Sequence, residues 1–206
     1  MMSVISHTRQ RLAMLADFAL AVLEIIGLVL AWKEMGSAIW RYFVSWSNAL
    51  CLLSAVAYFL SAFVGHGKVA QSVALLRYAA SVSVTLTFAV SACVLAPKSG
   101  DWITYMLSGS SLFLRCVAPL LSVLSFLLLE NGKPLKAKDQ ISAVTMPLAY
   151  AAVLTTLNYT KLLEGPYFFL FVYRQPLEET AIWVGSIIGA AVIFSALLRC
   201  LFRPKR

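Results

Sequence analysis

The sequence predicts an all-α, polytopic integral membrane protein with six transmembrane helices in a single bundle. Of its 206 residues, 61% are hydrophobic and only 13% are charged, and the mean hydropathy is +0.83. An ordinary soluble domain carries about 25% charged residues, so this chain has too few charged residues for the water-exposed surface of a soluble domain. The same excess of apolar residues excludes intrinsic disorder. The apolar residues also fall in runs long enough to cross a bilayer, which takes about 20 residues per helix.

Six apolar runs follow one another within a single transmembrane domain, 1–206. The first run comes after Arg9 and Arg11, as the apolar region of a signal peptide would. It is too long for a signal peptide and contains Asp17 and Glu24, so we interpret it as a retained helix. The predicted spans are 12–32, 42–64, 69–95, 105–129, 141–163 and 181–202.

We expect the protein to lie in the plasma membrane. The placement of lysine and arginine predicts that both of its termini face the cytoplasm. With the N-terminus inside, the cytoplasmic segments hold ten basic residues and the outer segments five, which agrees with the positive-inside rule. This topology accounts for the net charge of +8, so nucleic acid is not an expected partner. The inside residues are Arg9, Arg11, Lys68, Lys133, Lys136, Lys138, Arg199, Arg203, Lys205 and Arg206, and the outside residues are Lys33, Arg41, Lys98, Lys161 and Arg174.

The segment 164–180 is too short to span the membrane and too apolar for a free loop. Pro166 and Pro176 bracket an aromatic run that extends from Tyr167 to Tyr173. We expect it to lie at the outer interface or to fold back over the bundle. Two interpretations stay open: an aromatic belt at headgroup depth, and a lid over an outward-facing cavity.

Four charged residues stand out deep inside the predicted spans, where each costs at least a few kcal/mol and therefore needs a partner or a wet cavity. Asp17 and Glu24 lie seven residues apart, about two helical turns, and so share one helix face. Matching depths across the bundle predicts two ion pairs, Asp17 with Arg77 and Glu24 with Arg115. The pairs either fix helix register or line a polar pocket for a headgroup or carboxylate, which arginine binds well.

Polar residues also cluster near the outer ends of two predicted helices. Ser45, Ser47 and Asn48 open the second helix, and residues 158–160 close the fifth. They form either the mouth of a cavity or hydrogen bonds between helices, a common use of such groups in membranes. The candidate ligand-binding residues are Glu24, Ser45, Asn48 and Arg115.

Two glycines one turn apart, Gly185 and Gly189, form a GxxxG motif in the sixth helix. Such a motif permits close approach between helices. We expect it to pack within the chain, with a homodimer through the same face as the alternative. Pro119 and Pro147 lie inside runs and predict kinks in the fourth and fifth helices.

Signals for metal, cofactor or standard hydrolytic chemistry are missing from the sequence. The two histidines, His7 and His66, fall in predicted cytoplasmic segments, and no HExxH, GxSxG or P-loop motif occurs. The four cysteines lie in or beside apolar runs, where free cysteine usually acts as a small apolar side chain. We therefore expect no metal site, no disulfide framework and no cofactor.

Four stretches resemble one known family in their order and spacing. They are WRYF at 40–43 leading to SN at 47–48, RCVAPLL at 115–121, PLAY at 147–150 and PYFFL at 166–170. Together they resemble the androgen-induced six-span membrane hydrolases and, more closely, their uncharacterised bacterial relatives, over about residues 40 to 172.

The resemblance implies a six-helix fold and a lipid-facing pocket. Animal members of that family hydrolyse fatty-acid esters of hydroxy fatty acids, with a threonine in the second helix and a histidine in the fourth. The matching positions here are Val44, with Ser45 beside it, and Arg115, while an acidic position of the aromatic loop matches Phe171. Since arginine cannot serve as a general base, these departures argue against the family's reaction and leave Ser45 as a weak catalytic candidate.

The sequence thus predicts a membrane protein with an intramembrane pocket for a lipid or small amphiphile, with membrane lipids as its partners. Three functions stay open: a non-catalytic binding or accessory protein, a lipid ester hydrolase or acyltransferase, and a small transporter. The transporter alternative rests on the buried Asp17, Glu24, Arg77 and Arg115. Whether the protein is an enzyme is left undecided.

Overall fold

The computed structural model describes residues 2–66 and 68–202, with side chains from Thr8 onward. In this part of the chain all regular structure is helical, and six helices are long and apolar enough to cross a membrane. The predicted all-α fold with six spans is therefore confirmed. The spans cover Thr8–Arg41, Phe43–Val64, Gln71–Ser99, Gly109–Leu129, Ala137–Tyr159 and Leu177–Leu201.

The first span extends beyond its predicted run at both ends and the third beyond its run at the C-terminal end, while the second matches its run to within one residue. The first is an α-helix over Met2–Met35 that continues as a 3-10 turn over Gly36–Arg41. The second is a single α-helix, Phe43–Val64. The third is α-helical over Gln71–Val90, π-helical over Ser91–Leu95 and ends with the turn Ala96–Ser99.

The fourth span begins at Gly109, whereas the sequence predicts a start at residue 105. Residues Trp102–Leu107 form a separate short helix, capped by Asp101, whose side chain accepts a 3.0 Å hydrogen bond from the Thr104 amide. Gly109 has φ +52, a left-handed conformation that glycine adopts without strain, and the chain turns there. The fourth helix then alternates α and π geometry over Gly109–Ser111, Leu112–Val117, Ala118–Leu124 and Ser125–Leu129.

The last two spans start and end slightly earlier than predicted. A 3-10 turn over Ala137–Asp139 leads into the fifth helix, Gln140–Tyr159, and the sixth helix is Leu177–Leu201. The aromatic loop between them, 160–176, contains a short 3-10 turn, Phe168–Leu170. We call the end of the bundle that carries this loop the loop end, and the opposite end the terminal end. The basic residues Arg203, Lys205 and Arg206, used in the orientation argument, lie outside the described residues.

The third helix is the centre of the bundle. It packs against the second, fourth, fifth and sixth helices, and it is the most buried of the six. Small and hydroxylated side chains allow this close packing, among them Ala79, Ser83 and Thr87. The fifth and sixth helices are peripheral and turn most of their surface outward.

The GxxxG motif of the sixth helix faces away from the rest of the described chain. A Cβ atom built on Gly185 or Gly189 meets no atom within 4 Å. The expectation that these glycines pack within the chain is therefore wrong, because the fifth and third helices contact other faces of the sixth helix. A homodimer through this open face stays a prediction.

A different glycine, Gly27, marks a close contact between two helices. A Cβ atom on Gly27 would lie 2.5 Å from Leu114 Cδ2 and 2.9 Å from Phe113 Cβ. The first helix therefore packs directly on the π-helical segment of the fourth, and only glycine fits at the crossing.

Replacing Gly27 with alanine is expected to lower the free energy of unfolding by about 1 kcal/mol, since overpacking costs about 1–3 kcal/mol and exceeds the gain in helix propensity of about 1 kcal/mol. The matched control is Gly185→Ala, which meets open space and should be at least as stable as the native protein. Thermal unfolding in dilute detergent compares the two variants. Equal stability of the two would contradict the close contact.

Candidate functional site

A cavity of about 480 Å³ opens at the loop end of the bundle. It lies between the first, second and fourth helices and the aromatic loop. This volume is typical of sites that bind small molecules. Its polar wall contains side chains from the second and fourth helices, from the short helix Trp102–Leu107 and from the loop: Ser45, Tyr105, Ser110, Arg115 and Tyr167.

Arg115 is the cation of this cavity. Its Nη1 donates a 3.1 Å hydrogen bond to the Tyr105 carbonyl, and its guanidinium carbon lies 4.1 Å from the centroid of the Tyr105 ring. Since a guanidinium carries five N–H donors, most of its hydrogen-bonding capacity is left for the cavity. Among the described residues no carboxylate lies within ion-pair distance of it. Arg115 is thus a half-buried cation held in place by an aromatic ring and a carbonyl.

The predicted ion pair of Glu24 with Arg115 does not form. With the predicted helix start at residue 105, Arg115 would lie about ten residues into its helix, but the helix begins at Gly109 and Arg115 is only six residues in. At 1.5 Å per residue, this moves Arg115 about 6 Å toward the loop end. There it binds Tyr105, while both Glu24 oxygens stay buried and receive no hydrogen bond from an N–H or O–H group of the described chain.

The aromatic loop folds back over the bundle and closes one side of the cavity. Phe169 and Leu170 are only 4% and 3% exposed, and they pack against the fifth and sixth helices. The Tyr167 hydroxyl accepts a 3.0 Å hydrogen bond from the Phe43 amide at the start of the second helix. Burial raises the pKa of this hydroxyl above its usual range, so it stays protonated.

Asn158 fixes the beginning of the loop. Its Nδ2 donates to the Gly165 carbonyl at 2.8 Å, and its Oδ1 accepts from the Gly165 amide at 3.0 Å. The polar group at the end of the fifth helix therefore holds the loop and does not line the cavity, in contrast to the cavity-mouth interpretation.

A second, narrower cavity of about 60 Å³ continues from the first. It runs between the third, fifth and sixth helices beneath the loop, and its walls are mostly apolar, including Leu86, Val90, Pro147 and Ile187. The two cavities share wall residues around Arg115. A polar cavity with one cation thus joins an apolar cleft.

Only two of the four candidate ligand-binding residues line the polar cavity, namely Ser45 and Arg115. Asn48 instead connects helices: its Nδ2 donates to the Val44 carbonyl at 2.6 Å and to the Leu114 carbonyl at 3.0 Å. Glu24 lies deeper in the bundle, outside the cavity wall.

Arg77 is at the centre of a separate buried network, closer to the terminal end. Its Nε lies 3.2 Å from Asp17 Oδ1, so the structure brings together the first pair that the depth argument predicts. The same guanidinium donates to Glu130 Oε1 from Nε at 3.0 Å and from Nη2 at 2.6 Å. Its Nη1 donates to Ser54 Oγ at 3.2 Å and Ser122 Oγ at 3.5 Å.

Glu130 is the partner that the sequence interpretation misses. It directly follows the last apolar residue of the fourth run and therefore resembles a loop residue, yet it is only 2% exposed. The five N–H donors of Arg77 could have indicated a second acidic partner, because one carboxylate cannot satisfy a buried guanidinium. Glu130 also directly follows the end of the fourth span, beside Arg77.

Within the part of the chain that the structure describes, no group of three or more histidine, cysteine, aspartate or glutamate side chains could hold a metal ion. Comparisons with family models, with curated proteins and with solved structures give no match. The assignment of a function therefore rests on the geometry of the cavity.

Proposed function

We propose that this protein binds an anionic lipid or small anionic amphiphile in the cavity around Arg115. One observation carries the proposal: Arg115 lines the cavity as a cation without a carboxylate partner among the described residues. A charge at this depth in a membrane is costly, and a bound anion would compensate it through charge-assisted hydrogen bonds. The natural ligand is therefore an anion with an apolar tail.

The shape of the two cavities supports an amphiphile over a free anion. A carboxylate or phosphate headgroup would occupy the polar cavity beside Arg115, with Ser45 and Tyr167 as further polar neighbours. The first carbons of its chain would enter the apolar cleft between the third, fifth and sixth helices. The stretches that carry the family resemblance, around Tyr42, Arg115, Pro147 and Tyr167, all contribute walls, which supports a shared lipid pocket.

We also propose that the protein lies in the plasma membrane with both termini in the cytoplasm. The loop end would then face outward, and an amphiphile would enter from the outer leaflet. The excess of basic residues in the predicted cytoplasmic segments supports this orientation.

Binding of a fatty acid and of the fatty alcohol with the same chain tests the proposal. The acid is expected to bind at least about tenfold more tightly, because a charge-assisted hydrogen bond contributes about 1.5–3 kcal/mol and 1.4 kcal/mol is a factor of ten. Equilibrium titration of the purified protein in a neutral detergent gives both dissociation constants. Equal affinities for the acid and the alcohol would contradict the proposal that Arg115 binds the headgroup.

Ser45 favours a second candidate function, an intramembrane lipid ester hydrolase or acyltransferase. The residue lies on the cavity wall together with Ser110, whose amide and hydroxyl donate hydrogen bonds to Glu34 at 3.0 Å and 2.5 Å. A serine-reactive fluorophosphonate distinguishes the two functions. Labelling of the native protein that is lost in Ser45→Ala would favour the hydrolase over simple binding.

A further inference from the structure

The buried network around Arg77 contains more carboxyl groups than it has cations. Asp17, Glu24 and Arg77 are fully buried, and Glu130 is 2% exposed. Arg77 is the cation whose charge acts on Asp17 and on Glu24. Three carboxyl groups therefore face one guanidinium, and full ionisation would leave two uncompensated negative charges inside the membrane.

Two of the three carboxyl groups use the guanidinium directly. Glu130 receives two hydrogen bonds from Arg77, and Asp17, whose oxygens accept no hydrogen bond within the described chain, lies in ion-pair contact with Arg77 Nε. The remaining nitrogen, Nη1, donates to the hydroxyl groups of Ser54 and Ser122. Every side-chain nitrogen of Arg77 thus already has a partner other than Glu24.

Glu24 is a buried acid without a strong hydrogen-bond donor. Both of its carboxyl oxygens are closed off from solvent and receive no hydrogen bond from an N–H or O–H group of the described chain. The hydrogen-bonding group beside it is the thiol of Cys51 in the second helix, a weak donor, and Arg77 of the third helix acts on it through its charge. From the fourth helix, Arg115 is bound to Tyr105 instead. An ionised carboxylate in this position would cost several kcal/mol, whereas a neutral acid avoids most of that cost.

The occupant that fits this position is a proton and not a metal cation. A metal ion requires several oxygen ligands and room beside the carboxyl group. Neither oxygen of Glu24 adjoins open space, and the described residues hold no cluster of metal-ligating side chains. A proton needs no coordination shell and adds no volume.

We propose that Glu24 is an intramembrane proton-binding site, whose carboxylate takes up one proton to form a neutral acid while Arg77 stays ionised between Asp17 and Glu130. In this step one O–H bond forms on a Glu24 oxygen, the proton comes from water, and release reverses it. The proposal is independent of the amphiphile cavity, since Glu24 does not line that cavity.

Infrared spectroscopy of the native protein in lipid vesicles tests the proposal directly. At neutral pH we expect the carbonyl band of an un-ionised carboxylic acid, declining reversibly as the pH is raised. Isotopic labelling of the carboxyl carbon of glutamate should shift this band, and labelling of aspartate should leave it in place. The band should be lost in Glu24→Gln and kept in the exposed control Glu178→Gln.

Three results would overturn the assignment: a native spectrum without the band, a band that moves with labelled aspartate, and a band that survives Glu24→Gln. If Glu24→Gln does not yield folded protein, Glu24→Asp in glutamate-labelled protein gives the same information. The band should then return to its unlabelled position, and a band that stays shifted would assign the proton to another glutamate.

Discussion

Replacing Arg77 with methionine is expected to lower the free energy of unfolding by about 3–5 kcal/mol, which is typical for breaking a buried ion pair from one side. Asp17 and Glu130 would lose their shared cation while staying buried in the bundle. The deficit should shrink as the pH falls, because protonation removes the unpaired charges. Reversible unfolding in mixed detergent, followed by tryptophan fluorescence at several pH values, measures the effect.

The matched control for Arg77→Met neutralises the whole network. Adding Asp17→Asn and Glu130→Gln to Arg77→Met removes the uncompensated charges and should recover most of the lost stability. A second control, Arg174→Met, removes an exposed arginine paired with Glu164 and should change stability by less than about 1 kcal/mol. A triple variant no more stable than Arg77→Met would contradict the network.

Replacing Arg115 with glutamine is expected to weaken binding of the fatty acid by at least about tenfold and to leave binding of the fatty alcohol nearly unchanged. The substitution removes the cation of the cavity but keeps a polar, shorter side chain. The stability of the fold should change little, because Arg115 makes one side-chain hydrogen bond, to the Tyr105 carbonyl, and one ring contact. Paired titrations with acid and alcohol separate a lost charge from a damaged cavity.

The control for Arg115→Gln is Arg174→Gln, a change of the same chemical type on the same end of the bundle. Arg174 is exposed and pairs with Glu164, outside the cavity wall. Its loss should leave the affinities for acid and alcohol as they are. A similar loss of acid binding in both variants would indicate general surface electrostatics and would contradict a specific role of Arg115.

Hydropathy alone predicts the six spans, because only helices satisfy every backbone group in a bilayer and each needs a long apolar run. The pairing of Asp17 with Arg77 also follows from the sequence, since both residues lie inside unbroken helices and their depth can be counted from the helix ends. Both results depend only on the periodicity and length of helices.

The sequence cannot place Arg115 correctly, because the start of its helix depends on local structure. Tyr105 belongs by hydropathy to the fourth run but lies in a separate short helix, and the chain turns at Gly109. Glu130 is missed for a related reason. A residue after the last apolar position resembles a loop residue until the fold buries it against Arg77.

The aromatic loop is predictable in composition but not in position. Its apolar residues indicate that it leaves water, and both an interfacial belt and a lid satisfy that condition. The position of the loop over the bundle depends on a long-range hydrogen bond from the Phe43 amide to Tyr167 and on a shorter-range one from Asn158 to Gly165. Contacts of this kind carry no signal in a single sequence.

Photolabelling in lipid vesicles with a photoreactive long-chain fatty acid tests the amphiphile cavity most directly. We predict labelling on the cavity walls, in the loop residues 166–171 and at the start of the second helix, 42–45. Excess unlabelled fatty acid and the Arg115→Gln substitution should both suppress it. Labelling that stays on outward-facing side chains such as Ile141 and Ile182, and that is equal in Arg115→Gln, would contradict the proposed site.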